Sequence, residues 1–326
     1  MKHISLLIPA GDTSLSNLEA TYKVFTRSND ALVRAGKTPL FRVQLVGLTR
    51  DARVSNGVFS VQPEVSFEEV DRTDLIIIPA VHGDMTGVIE ANSAFAPWIV
   101  RQYQQGAEVA SLCIGAFILA STGLLDGRSC TTHWLSADEF RRLFPRVELT
   151  AYKIITDEGG LYTSGGAYSA LNLIVYLVEK FAGREMALLT SKVFEIDIDR
   201  NSQSPFIIFK GQKDHEDEPI KRAQEFIEQN FQERITVDQL ASTFAIGRRN
   251  LERRFKKATA NTVAEYIQRV KIEAAKISLE SSRENVNEVM YKVGYTDPKA
   301  FRIIFKRITG LSPLQYRAKY NRAISG

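Results

Sequence analysis

Leu251-Glu252-Arg253-Arg254-Phe255-Lys256 returns fifty residues later as Phe301-Arg302-Ile303-Ile304-Phe305-Lys306. The same offset places Leu240 on Met290, Thr259 on Thr309 and Tyr266 on Tyr316. In each copy an apolar pair spaced i, i+4 shares one helical face, and the basic residues fall away from it. The first copy reads as a supporting helix (237–244), a turn Ala245-Ile246-Gly247 and a basic helix (248–258). The second reads as 286–293, a turn Gly294-Tyr295-Thr296-Asp297, and 298–309, where Asp297 can cap and Pro298 suits the first turn. Two helix-turn-helix units in tandem reach two successive major-groove segments, which implies a sequence-specific binder of double-stranded operator DNA. Arg248, Arg249, Asn250, Glu252, Arg253 and Lys256 are the contact candidates in the first helix, and Lys299, Arg302 and Lys306 in the second. Early-turn side chains reach base edges while flanking cations meet phosphates. One basic helix alone is often just a solvated surface; two with matching core positions are much harder to dismiss.

Charge follows the same division. Residues 220–326 carry 21 Lys+Arg against 11 Asp+Glu, a surplus of ten, whereas residues 1–219 carry 21 against 27, a deficit of six. The positive charge therefore sits where a polyanion would want it. Only Cys113 and Cys130 occur, so a disulfide framework is not expected and a reducing, cytoplasmic setting fits. The apolar run 4–10 is too short for a signal peptide and no stretch approaches a membrane span, so no membrane partner is expected.

Ahead of the repeat, β-branched runs alternate with helical patterns. Strands are expected at 4–8, 41–47, 74–78 and 108–112, and helices at 15–35, 92–105, 116–124 and 168–181. Leu75-Ile76-Ile77-Ile78 is continuously apolar, the pattern of a strand covered on both faces. The expected fold is an α/β, flavodoxin-like parallel sheet over residues 1–205, then an all-α domain over 220–326 with a leading helix at 220–231. Between them, 206–219 contains Lys210-Gly211-Gln212-Lys213-Asp214-His215-Glu216-Asp217-Glu218-Pro219, which lacks apolar residues and reads as an exposed hinge.

The last hundred residues resemble an AraC-type transcription regulator domain. The resemblance rests on Ala241, Arg249, Leu251, Arg253, Phe255 and Lys256, and on Gly294-Tyr295, Asp297, Phe301, Phe305-Lys306, Gly310, Ser312-Pro313 and Tyr316-Arg317. It implies seven helices, with a long one at 263–279 joining the two units and holding the recognition helices about 34 Å apart, one DNA turn. Where the family usually has a second arginine this chain has Ile303, so a weaker or more shape-dependent contact is expected there, Lys299 and Arg302 taking part of the role.

Ser111-Leu112-Cys113-Ile114-Gly115 follows a strand and opens a helix, where a thiolate is stabilised by the helix end and the Ile114 amide can point toward an oxyanion. His133-Trp134 supplies a possible base. A lone cysteine beside a helix is more often a small buried residue than a nucleophile. Cys113 to Phe117, Gly123 to Arg128, Thr131-Thr132-His133-Trp134, Phe144-Pro145 and Thr163-Ser164-Gly165-Gly166 together resemble the PfpI-like, class I glutamine amidotransferase-like domain. With the C-terminal module, the architecture is similar to the GlxA-type transcription regulators. Against the catalytic relatives, the acidic position that assists the cysteine falls at Asn17, the glycine-rich turn reads Ala80-Val81-His82-Gly83, and a further acidic position is Asn172. An amide cannot act as a general base.

Those losses favour a sensor over an enzyme. His82, Gly83, Cys113, Ile114, His133 and Trp134 are the candidates for an effector crevice, although either histidine can equally be structural and Trp134 a core residue. The resemblance implies an activator, a homodimer through the N-terminal domain, RNA polymerase as a partner, and amino-acid-derived or quaternary-amine effectors. No cofactor or metal is implied. A cysteine hydrolase or amidase carrying a DNA-binding domain is the alternative, and a Cys113 redox sensor a third reading.

Overall fold

Leu75-Ile76-Ile77-Ile78 is a central strand with no exposed residue, and alternate side chains enter different cores: Leu75 and Ile77 one, Ile76 and Ile78 the other. That double coverage is why its sequence does not alternate. A computed structural model of the chain describes residues 1–50, 52–54, 59–198, 202–213 and 215–321. Asp214 of the expected hinge and residues 322–326 of the expected C-terminal domain lie outside the described residues. The chain divides into two compact units, Met1–Gln203 and Ser204–Gly326.

In the first unit the strands are β1 (Lys2–Ile8), β2 (Phe41–Gly47), β3 (Val65–Ser66), β4 (Leu75–Ile78), β5 (Glu108–Ser111), β6 (Ile155–Glu158) and β7 (Leu161–Ser164). They form one sheet in the order β3-β2-β1-β4-β5-β7-β6, parallel except for the antiparallel β6–β7 edge. Its helices are α1 (Leu15–Arg34), α2 (Met85–Ala91), α3 (Phe95–Gln104), α4 (Ala116–Ser121), α5 (Ala137–Leu143), α6 (Ser169–Ala182) and α7 (Arg184–Val193). Phe25 of α1 and Leu173 and Leu177 of α6 cover one face of the sheet. Trp98, Phe117 and Phe140 of α3, α4 and α5 cover the other. This is the expected flavodoxin-like sandwich.

The helix expected at 92–105 starts later. Asn92 ends α2 instead of opening α3, because its buried amide accepts from the Ala10 N–H at 2.8 Å and donates to the Ala10 carbonyl at 3.0 Å. Those bonds tie the loop after β1 to α2, a long-range role with no local signature.

In the second unit the helices are α8 (Glu218–Asn230), α9 (Val237–Thr243), α10 (Arg248–Thr259), α11 (Val263–Ser281), α12 (Val286–Lys292), α13 (Pro298–Thr309) and α14 (Pro313–Tyr320). Among the described residues these are the seven expected helices. Helix α11 belongs to two cores: Val263 and Tyr266 join Ile227, Leu240, Leu251 and Phe255, while Ile272, Ala275 and Leu279 join Val289, Phe301, Phe305 and Tyr316.

The duplication extends to individual hydrogen bonds. Thr259 and Thr309 each donate from Oγ1 to the carbonyl four residues back at 2.8 Å, and residues 251–260 and 301–310 show the same succession of buried, half-buried and exposed positions. One detail of the alignment changes. The Ile246 N–H donates to the Ala241 carbonyl as the Tyr295 N–H does to Met290, so Ala241, not Leu240, matches Met290, and Leu240 matches Val289. The second turn holds one extra residue, making the offset forty-nine before it and fifty after it.

The expected exposed hinge is also corrected: it lies folded along the second unit. The Ile207 carbonyl accepts from Lys276 Nζ at 2.6 Å, the Phe209 N–H donates to Glu273 at 3.1 Å, and the Phe209 ring meets Tyr266 edge-on at 5.1 Å. The Gln212 carbonyl accepts from Gln224 at 2.9 Å, and Asp217 caps α8 while holding Arg254 through two bonds of 2.9 and 2.6 Å. Phe209 packs against the core of the first helix-turn-helix unit, and the polar stretch after it is docked by its backbone and by charge, which a hydrophobicity argument overlooks.

Candidate effector crevice and DNA interface

Parallel strands end on one edge, and the turns after β1, β4 and β5 line it. After β4, Val81–His82 forms a short strand paired antiparallel with Asp12–Thr13, and Gly83 follows at φ +134°. After β5, the Leu112 N–H still bonds the Ile78 carbonyl at 2.9 Å, and then Cys113 turns to φ +56°. A non-glycine residue holds that left-handed conformation at a cost of ~1 kcal/mol or more. Its backbone is fixed from both sides: the N–H donates to Ser164 Oγ at 3.1 Å and the carbonyl accepts from Thr132 Oγ1 at 3.0 Å. Gly115 lies so near β4 that a Cβ there would stand 2.6 Å from the Ile78 and Pro79 carbonyl oxygens. This is a strand–turn–helix elbow.

The electrostatics of the elbow oppose a reactive pair. Burial pushes the Cys113 thiol above its ordinary range, and the Ala167 and Ile114 amides, which donate toward the sulfur, pull it back only in part. Burial pushes His133 below the ordinary imidazole range, and neighbouring His82 acts in the same direction. The Leu135 N–H donates to His133 Nδ1 at 3.1 Å, so a neutral ring carries its proton on Nε2. Thiolate and imidazolium are therefore each disfavoured. Asn17 Oδ1 accepts from the Ala80 N–H at 3.1 Å, and Asn172 donates to the Asp197 carbonyl at 2.5 Å; both amides serve the backbone. Cys130 is fully buried and pushed up to about 12.

Of the crevice candidates, Cys113 and Ile114 are buried in the elbow, and the 81–82 strand packs against it. His133 stands half-buried against Gly166, where an added Cβ would fall 2.2 Å from its ring. The half-buried Trp134 ring is 5.8 Å from the His133 ring. His82 and Gly83 stand exposed at the outer rim.

In the DNA-binding half, Arg249, Asn250, Glu252, Arg253 and Lys256 are exposed on α10, and Lys299, Arg302 and Lys306 on α13. Arg253 is held toward Asn250 Oδ1 at 2.8 Å. Arg248 is exposed too, but its guanidinium reaches across the turn to both Asp238 oxygens, at 3.1 and 3.0 Å. The two starts differ: α10 is opened by Gly247 without a side-chain cap, whereas Asp297 caps α13 through the Lys299 and Ala300 amides.

The profile of the DJ-1/PfpI family matches residues 7–180, more than half of the chain. The chain belongs to the DJ-1/PfpI family. A helix-turn-helix domain profile matches residues 240–319. The HTH-type transcriptional regulator GbdR of Pseudomonas aeruginosa is 25% identical over 279 residues, covering 82% of this chain and 72% of GbdR. The HTH-type transcriptional regulator GlxA of Rhizobium meliloti is 23% identical over 220 residues, covering 67% and 68%. Isonitrile hydratase of Pseudomonas putida is 27% identical over 158 residues, 48% of this chain and 67% of the hydratase. The chain is a DNA-binding transcription regulator in which a PfpI-like domain precedes an AraC-type helix-turn-helix pair. Among its described residues, no helix is long and apolar enough to cross a membrane.

One residue of the DJ-1/PfpI unit escaped sequence reasoning. Gln203 is buried and its Nε2 donates to Thr131 Oγ1 at 3.3 Å, to the Thr132 carbonyl at 2.9 Å and to the Lys153 carbonyl at 3.1 Å, while its Oε1 accepts from the Gly166 N–H at 3.2 Å. It thus ties the loop that carries His133 to Lys153 and to the 164–167 loop, whose Ser164 bonds the Cys113 N–H. It is also the last residue of this unit, the second unit beginning at Ser204. Its partners lie 37 to 72 residues away, and no local pattern announces them.

Proposed function

We propose that this regulator is an activator that answers a small metabolite held in the crevice without chemically changing it. The observation carrying this reading is His133 Nδ1 engaged by the Leu135 N–H at 3.1 Å, with burial also disfavouring the His133 imidazolium and the Cys113 thiolate. Asn17, standing where catalytic relatives carry an acid, supports it through its bond to Ala80. His82, Gly83, Cys113, Ile114, His133 and Trp134 line the site. Residues 1–205 sense the effector and 220–326 bind operator DNA through Arg248, Arg249, Asn250, Glu252, Arg253 and Lys256 of α10 and Lys299, Arg302 and Lys306 of α13. The stretch 206–219 acts as a docked strap. An effector regulates only if it binds the DNA-competent arrangement more tightly than the other. Gln203, bonded to the crevice loops and separated from the strap by two residues, is the natural exit for that signal.

The working form in this reading is a cytoplasmic homodimer joined through the N-terminal unit and contacting RNA polymerase. A cavity of about 640 Å³ between α1 and α7, lined by Ala31, Met186, Leu189, Val193 and Phe194 among others, supports the dimer. Val33, Leu188, Leu189 and Val193 are exposed on the same two helices, and monomers seldom leave such patches bare. The cavity lies on the C-terminal half of α1, away from the crevice, so occupation of one does not block the other.

The likeness to isonitrile hydratase favours a second reading, an enzyme that acts on its ligand, with the cysteine hydrolase or amidase built on Cys113 and His133 as its form. One experiment separates the two. The full chain and its Cys113→Ala variant are screened for thermal stabilisation by amino-acid-derived and quaternary-amine metabolites, and any hit is then assayed for conversion and for altered DNA binding. We expect the variant to keep the stabilisation and the effector-dependent binding, with the metabolite recovered unchanged. Conversion by the wild type and not by the variant sinks the sensor reading.

A further inference from the structure

Helix α13 exposes something its sister helix does not. Ile303 is 57% exposed at the position that Arg253 occupies on α10. Its neighbours on the helix surface are Lys299, Arg302, Lys306 and Arg307, at i−4, i−1, i+3 and i+4. Among the described residues, Lys299, Arg302 and Lys306 form no ion pair. Packing gives no reason for an aliphatic residue here, since the buried face of α13 is already filled by Phe301, Phe305 and Thr309. A β-branched residue is also a poorer helix former than the lysine or arginine around it. An apolar knob with Lys299, Arg302 and Lys306 around it, none of them in an ion pair among the described residues, fits a partner that is apolar at one point and anionic around it. In the DNA major groove only thymine offers that, a C5-methyl group on a base edge between two phosphate backbones.

We propose that Ile303 reads thymine methyl groups, so that α13 recognises a thymine-bearing segment while α10, through Arg253 steadied by Asn250, recognises a guanine. This rests on the reading that both helices enter the major groove. Lys299, Arg302 and Lys306 then supply the phosphate contacts that set α13 in the groove, and Ile303 supplies its base preference.

The test uses the full chain and DNA fragments that it selects from a random pool. Each thymine of a selected fragment is replaced singly by deoxyuridine, which removes the methyl group and leaves every hydrogen-bonding atom in place. At one or two thymines in the segment away from the guanine read by Arg253, wild-type affinity falls about fourfold, the worth of one buried methyl group. Ile303→Ala binds the thymine and deoxyuridine fragments there equally and keeps its response elsewhere. Ile303→Arg moves the preference at that position toward guanine. Unchanged melting of Ile303→Ala and unchanged affinity for random DNA show that the variant is folded. Wild-type indifference to every deoxyuridine, or an Ile303→Ala variant with the wild-type thymine preference, overturns the proposal. A pool that yields no enriched sequence overturns the groove-entry reading beneath it, and Arg253→Ala then behaves like the wild type.

Discussion

The two helix-turn-helix units share a framework and differ on their reading surfaces. Both carry the threonine bond to the preceding turn, a left-handed residue ending the recognition helix and a capping box opening the next helix. Yet α10 presents Glu252-Arg253 where α13 presents Arg302-Ile303, and the first turn places Ala245 at φ +52° where the second has Gly294 at φ +76°. The core and the helix ends just named are constrained by folding; exposed positions are free to follow whatever segment of DNA each unit meets.

The largest expected effect probes the turns. Gly294→Ala adds a Cβ that would lie 2.0 Å from the Gln232 carbonyl oxygen and 2.7 Å from Lys271 Nζ, on top of the left-handed strain. Chemical denaturation should show a loss of about 3 kcal/mol or more. At the counterpart position, Ala245→Gly relieves strain and should shift stability by less than about 1 kcal/mol in the favourable direction. A mild Gly294→Ala would mean that the turns are interchangeable after all.

Next come the reading faces. Arg253→Ala should weaken binding to a selected operator by tenfold or more, in line with about 1–3 kcal/mol for a good base contact. Arg302→Ala should cost only a few-fold, and should lower the salt slope by about one because it removes a phosphate contact. Equal losses in titrations at two salt concentrations would contradict the asymmetry.

The smallest effect tests the copying itself. The Tyr266 hydroxyl donates to Glu228 at 2.6 Å and that of Tyr316 to Glu280 at 2.5 Å. Tyr266→Phe and Tyr316→Phe should each cost about 1–2 kcal/mol, as for a hydrogen bond to a charged acceptor. A gap wider than about 1 kcal/mol between them, measured by denaturation, would break the equivalence of the two cores.

Local features were the legible ones. The expected strand at 41–47 and the helix at 298–309 coincide with β2 and α13, because alternating or doubly covered apolar runs and an Asp-Pro helix start are written within a few residues. The elbow was legible too, through Cys113 and Gly115. What escaped is mostly set by distant partners: Asn92 bonded to Ala10, Gln203 bonded to the crevice loops, and Ile207 and Phe209 docked on α11 with Gln212 on α8; the extra residue in the second turn escaped as well. The first three are polar or backbone contacts whose partners lie far along the chain, which hydrophobic periodicity does not report; the fourth shows only in the local bonds that close the two turns.

Helix α11 has 19 residues, about 28 Å of continuous helix, and it supplies core residues to both units. It therefore acts as a ruler cut to one length. The pair cannot spread or close without breaking a core, so in the proposed reading spacing on the operator is selected as strictly as sequence. In the proposed reading an effector therefore acts by presenting or withholding the whole module, since the distance within it is not adjustable.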